Sequence, residues 1–75
     1  MKVTLKAHNA LPEADRMVHV DHVFIGILRH WGGNEWKFIW SGHRQRNYSE
    51  GQQVDIAMHL EKLKAVLIIK NKLRA

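Results

Sequence analysis

Residues 31–36, Trp-Gly-Gly-Asn-Glu-Trp, place a short Gly/Asn loop between two apolar segments. Two apolar segments joined by such a loop are the sequence pattern of a β-hairpin. After the loop, aromatic residues occupy every second position of 36–41, and this period of two is typical of a strand. We therefore predict paired antiparallel strands at about 18–31 and 36–41.

The segment 16–31 has a second interpretation, because its apolar residues also recur at helical spacing. Two observations favour a strand over a helix. The segment is dense in Val and Ile, which lose rotamer freedom in a helix, and Gly26 would weaken a helix interior. Residues 2–8 alternate apolar and polar side chains and are predicted to form another strand, followed by a loop over 9–15.

A C-terminal helix is predicted over about 52–72, where Ile56, Leu60, Leu63 and Leu67 form a continuous apolar stripe. Ser49 precedes Gln52 by three residues, which is the spacing of a capping box at a helix N-terminus. The alternative is a shorter helix with a fourth strand at 65–69, but no Gly, Pro or Asn separates the two segments.

The expected fold is a single α+β domain over residues 1–75, in which a three-stranded antiparallel sheet is covered by one helix. At this length the chain can form only one small apolar core. It contains no cysteine, so disulfides cannot stabilise it and zinc sites with Cys ligands are excluded. No signal peptide or membrane-spanning segment is visible, and we expect a cytoplasmic protein.

The charge is unevenly distributed along the chain. The net charge is +5, yet residues 1–35 hold equal numbers of acids and bases, so the whole excess lies in residues 36–75. An excess of this kind attracts polyanions. We therefore expect a nucleic-acid-associated protein that contacts mainly phosphate. The candidate contact residues are Arg29, Lys37, Arg44, Arg46, Lys62, Lys64, Lys70 and Lys72. Arg44 and Arg46 would project together if their loop is extended.

A compact regulator or inhibitor that binds a protein, of the type found in phages and mobile elements, is the alternative. Trp31 lies beside the hairpin turn and is expected to be exposed, whereas Trp36, Phe38 and Trp40 are expected in the core. The predicted helix also has a second apolar stripe opposite the first, which suggests a homodimer. The candidate partner-binding residues are Trp31, Val54, Met58, Ala65 and Ile69.

No catalytic residues, metal or cofactor are expected. His19 and His22 are spaced for opposite faces of a strand, and no further ligands follow a recognised metal-binding spacing. A small ribonuclease needs a general acid, a general base and a cation that binds phosphate. The residues of the right types have no spacing that indicates a common site, so we expect a binding protein and not an enzyme. Those residues are His30, His43, Arg44, Arg46 and Tyr48.

The predicted order of three strands followed by a helix resembles the small DNA-binding modules at the start of tyrosine-type integrases. The shared features are Gly33 before Trp36-Lys37-Phe38, then Arg44-Gln45-Arg46, then Ala57 in the helix. The resemblance covers about half of the chain and implies a sheet that lies in the major groove of DNA. The sheet segments here are mostly apolar and carry few Arg or Asn residues for base edges, so phosphate contact is favoured over base recognition.

Overall fold

The computed structural model describes residues 1–7 and 14–74 and has an α+β architecture, as predicted. An antiparallel sheet in the order β1-β2-β3-β4 is followed by one C-terminal helix. The elements are β1 (Val3–Ala7), β2 (Arg16–Val20), β3 (Val23–Gly32), β4 (Glu35–Trp40), a 3₁₀ helix (Arg44–Asn47) and α1 (Glu50–Arg74). His8 and most of the predicted loop over 9–15 lie outside the described residues.

The prediction of three strands is wrong, because the segment 18–31 is not one strand. A two-residue turn at Asp21 and His22 divides it into β2 and β3, with Val20 paired to Val23. Both turn residues have positive φ, of 49° and 71°, which is the backbone of the tight turns that match the twist of a hairpin. The helical alternative for 16–31 is also wrong. The sequence signal was weak because neither turn residue is Gly or Asn.

The turn is attached to β1 by two hydrogen bonds. The backbone N–H of Asp21 donates to the carbonyl of Lys2 at 2.9 Å, and the backbone N–H of Lys2 donates to Oδ1 of Asp21 at 2.8 Å. An aspartate tolerates positive φ better than most residues, and its side chain here satisfies a strand-end donor. The short β2 is therefore aligned between β1 and β3.

A β-bulge interrupts the pairing of β2 with β3. Val18 pairs with Gly26 and the next residue, His19, pairs with Phe24, so Ile25 has no partner on β2. An additional residue reverses the alternation of side chains along the strand. Ile25 is consequently fully buried, and Phe24 turns to the same face as His19.

The core lies between one face of the sheet, which we call the inner face, and α1. Its sheet residues are Val3, Val18, Val20, Ile25, Leu28 and Trp36, and its helix residues are Ile56, Leu60 and Leu67. Trp36 is 4% exposed, as expected, while Phe38 and Trp40 are partly buried and pack against the same cluster.

The helix begins and ends close to the predicted limits, at Glu50 and Arg74, so the alternative of a strand at 65–69 is wrong. The predicted capping box is present. The backbone N–H of Gln52 donates to the Ser49 hydroxyl at 3.2 Å, and the backbone N–H of Ser49 donates to Oε1 of Gln52 at 2.9 Å. Within the described part of the chain, no helix is long and apolar enough to cross a membrane.

Candidate functional site

The second face of the sheet, which we call the outer face, is not covered by the helix. Because α1 packs on the inner face, the side chains that alternate with the core residues point to solvent. By pairing and alternation, the outer face carries Thr4, Lys6, Met17, His19, Phe24, Ile27, Arg29, Trp31, Glu35, Lys37 and Ile39. The helix therefore leaves one face of the four-stranded sheet uncovered.

The centre of the outer face is apolar. Ile27 on β3 pairs directly with Met17 on β2 and with Ile39 on β4. Met17 and Ile27 are half-buried by their neighbours, and Ile39 is 43% exposed. Contiguous apolar side chains on an uncovered sheet face indicate a surface that contacts another molecule.

Two cations lie next to this apolar centre, directly opposite each other on neighbouring strands. Arg29 on β3 pairs with Lys37 on β4, and both residues are exposed. Like charges in this position destabilise a sheet, since their Cβ atoms are only ~5 Å apart. One acid offsets the repulsion in part, because Nη2 of Arg29 lies 3.2 Å from Oδ2 of Asp15. The pair therefore retains positive charge that an anion can bind.

Trp31 extends the same surface toward the hairpin tip. It is 58% exposed, as predicted from its place beside the glycine turn. Nζ of Lys37 lies 5.2 Å from the centre of the Trp31 ring, within the range of a cation–π contact. An aromatic face and an ammonium group are thus presented side by side.

Phe24 and Arg44 form a second aromatic and cationic pair, at the opposite end of β3. The guanidinium carbon of Arg44 lies 5.9 Å from the centre of the Phe24 ring, and the His19 ring meets Phe24 edge-on at 5.7 Å. Arg44 reaches this position because the 3₁₀ helix packs beside β3. The outer face therefore has one aromatic side chain with a neighbouring cation at each end.

The predicted clamp of Arg44 and Arg46 is wrong. It required an extended loop, but Arg44–Asn47 is a 3₁₀ helix without buried residues. In a helix with three residues per turn, side chains two positions apart point in directions that differ by about 120°. Of the two, only Arg44 has a contact that ties it to the outer face.

The predicted helix lysines belong to the other layer of the molecule. Lys62, Lys70 and Lys72 are exposed on α1, and Lys64 is partly buried with Nζ 2.9 Å from Oε1 of Glu61. The sheet lies between α1 and the outer face, so these lysines do not share a surface with Arg29 and Lys37. Three of the eight predicted contact residues, Arg29, Lys37 and Arg44, therefore lie on or beside the outer face, and the four lysines lie on α1.

Among the candidates for catalysis, His30 lies apart from the group at residues 43–48. Nε2 of His30 lies 2.7 Å from the carbonyl oxygen of Gly33, at the hairpin tip. Arg44 and Tyr48 lie at the other end of the sheet, where Tyr48 packs against Trp40. Over residues 1–7 and 14–74, no group of three or more His, Asp or Glu side chains could hold a metal ion.

Eight outer-face residues were absent from the predicted contact set, namely Thr4, Lys6, Met17, His19, Phe24, Ile27, Glu35 and Ile39. Alternation along 36–41 already placed Ile39 opposite the core tryptophans, so this residue could have been found from the sequence. Phe24 could not, because its orientation depends on the bulge at Ile25.

Comparison with known proteins gives no relative: no protein-family model matches the chain, and no curated protein or solved structure matches it significantly.

Proposed function

We propose that this protein binds single-stranded nucleic acid on the outer face of its sheet. The observation that carries the proposal is the cross-strand pair of Arg29 and Lys37, which lies beside the exposed Trp31 on a sheet face that the helix leaves bare. Phosphates are the ligand for the cations, and a base is the ligand for the aromatic ring.

The apolar centre of the face favours a single strand over a duplex. A duplex presents its phosphates and buries the faces of its bases, so Met17, Ile27 and Ile39 would be covered by charged groups without a compensating contact. A single strand turns its bases toward the protein, and flat base faces pack on apolar and aromatic side chains. The cations at both ends of the centre then contact the backbone.

The arrangement supports weak sequence preference. Stacking on an aromatic ring suits every base, and phosphate contacts carry no sequence information. The net charge of +5 adds a long-range attraction that increases the association rate and weakens as salt is added. Binding is therefore expected at micromolar affinity with strong salt dependence.

The proposal is tested by fluorescence anisotropy with a labelled mixed-sequence single strand and the matching duplex, each titrated across a salt series. The matched variants are Lys37→Gln on the outer face and Lys70→Gln on the helix, which remove the same charge from opposite layers. We expect the single strand to bind more tightly than the duplex. Lys37→Gln should lower the salt slope by about 0.7, the value for one phosphate contact on a single strand, and Lys70→Gln should not.

Two results would reject the proposal. Absence of binding at low salt would show that the outer face has no nucleic-acid ligand. The favoured function would then be that of a regulator that binds a protein through Trp31. Equal weakening by both variants would show that only the net charge attracts the polyanion, without a defined surface.

A further inference from the structure

The solvent side of α1 carries an apolar stripe that no residue among 1–7 and 14–74 covers. Val54, Met58, Ala65, Ile69 and Leu73 fall within about 100° of one another around the helix axis, and all are exposed. Lys62 and Lys72 lie in the same sector, where their long side chains can extend past the apolar residues to solvent. The centre of this stripe lies nearly opposite Ile56, Leu60 and Leu67, which face the core. Leu73 is 81% exposed, and Met58 and Ile69 are each 58% exposed. The predicted second stripe is thus on the surface.

The stripe is symmetric along the helix. The pair Met58 and Ile69 and the pair Val54 and Leu73 have the same midpoint, between Leu63 and Lys64. A second helix that runs in the opposite direction about this midpoint therefore brings Met58 level with Ile69 of the other copy. Interfaces built on a two-fold axis require this kind of self-complementarity.

The charges of the helix also favour an antiparallel copy. Residues 50–61 contain the acids Glu50, Asp55 and Glu61 and no Lys or Arg, and residues 62–74 contain five Lys and Arg residues and no acid. Two parallel copies would bring the basic halves together, whereas antiparallel copies place each acidic half beside a basic half. The helix macrodipoles are also opposed in the antiparallel arrangement, which is the favourable orientation.

We infer that the protein forms a homodimer through antiparallel pairing of its α1 helices along this stripe, centred between Leu63 and Lys64. Met58 packs against Ile69 of the second copy, and the small Ala65 near the two-fold axis lets the helices approach closely. The interface does not depend on nucleic acid. Because the stripe and the outer face lie on opposite sides of the molecule, the dimer leaves both outer faces accessible.

The natural absence of cysteine permits a direct test of orientation. Two single-cysteine variants, Met58→Cys and Ile69→Cys, are oxidised separately and as a mixture. In the antiparallel pair, residue 58 of one copy is level with residue 69 of the other, so the mixture should form the 58–69 disulfide. Two copies of residue 58 lie about 16 Å apart along the axis, well beyond the ~7 Å Cα separation that a disulfide spans.

The mass in solution is measured in the same buffers without nucleic acid, by sedimentation equilibrium over a range of protein concentrations. We expect a reversible increase from 8.8 kDa toward twice that mass. Ile69→Glu should remain folded by circular dichroism and become monomeric. His59→Glu adds the same charge at an exposed helix position outside the stripe and should still dimerise.

A wild-type protein that stays monomeric at the highest concentration would overturn the inference. So would a cross-link of residue 58 to residue 58 that forms as readily as the 58–69 cross-link, because it would show parallel pairing. Neither result affects the anisotropy test of the outer face, so the two proposals fail independently.

Discussion

The carboxylate of Asp15, the residue before β2, lies 3.2 Å from the guanidinium of Arg29 on β3. Arg29 also donates from Nε to the same carboxylate oxygen at 3.4 Å. Both side chains are partly exposed, at 50% for Arg29 and 35% for Asp15. This acid is therefore in direct competition with any phosphate for one of the two paired cations.

Substitution Asp15→Asn is expected to increase the affinity for single-stranded nucleic acid. The change removes the competing charge and leaves Arg29 free to contact phosphate, and exposed ion pairs of this kind contribute ~0.2–1 kcal/mol, which corresponds to a change of roughly 1.4- to five-fold. Anisotropy titration at constant salt measures it. Asp55→Asn on α1 is the matched control, since it raises the net charge equally on the other layer. An equal increase in both variants would show that only net charge matters.

Trp31→Ala is expected to weaken single-strand binding about ten-fold with little change in the salt slope. Stacking of a base on an aromatic ring contributes ~1–3 kcal/mol and releases no counterions. Loss of the ring therefore lowers the affinity at every salt concentration, whereas loss of a lysine also lowers the salt slope. Because Trp31 is mostly exposed, the free energy of unfolding should change by less than ~1 kcal/mol. Trp31→Phe should retain most of the affinity. A variant that binds like the wild type would remove Trp31 from the site.

Gly26→Ala is expected to destabilise the fold by about 1–3 kcal/mol, measured by urea denaturation. A Cβ atom at Gly26 would lie 2.3 Å from the carbonyl oxygen of Ile39 and 2.8 Å from Cε1 of Phe38, so β3 and β4 would have to separate. Gly51→Ala is the control, because a Cβ there meets nothing within 4 Å and alanine favours a helix. An unchanged midpoint for Gly26→Ala would contradict the close pairing of these strands.

His22→Gly is expected to stabilise the protein by about 0.5–1 kcal/mol in the same assay. His22 has a φ of 71°, which glycine adopts without the steric cost that an L side chain carries, and this relief exceeds the added entropy of the unfolded chain. The sign of the effect is diagnostic. If residues 18–31 formed one continuous strand, glycine at position 22 would instead destabilise it.

Local patterns were sufficient for much of the architecture. The capping box at Ser49 and Gln52, the apolar stripe from Ile56 to Leu67 and the aromatic hairpin all depend on residues close in sequence, and each is present in the structure. Short-range hydrogen bonds and side-chain periodicity determine these features, so they can be predicted from the sequence without knowledge of the rest of the fold.

The number of strands and the composition of the outer face were not determined locally. The turn at Asp21 and His22 contains neither Gly nor Asn and is held by hydrogen bonds to Lys2, nineteen residues away from Asp21. The bulge that turns Phe24 outward depends on how β2 pairs with β3. The turn depends on a contact with a residue distant in sequence, and the bulge depends on the register of the β2–β3 hairpin, which apolar periodicity alone does not specify.

The sequence by itself determined an α+β domain with one long helix, a hairpin and an excess of positive charge in its C-terminal half. Only the tertiary structure decided which positive residues share a surface. Packing of α1 on the inner face separates the helix lysines from Arg29 and Lys37, and the pairing of β3 with β4 places those two cations opposite each other. The physical reason is that a helix can cover only one face of a sheet, and burial of the larger apolar set selects that face.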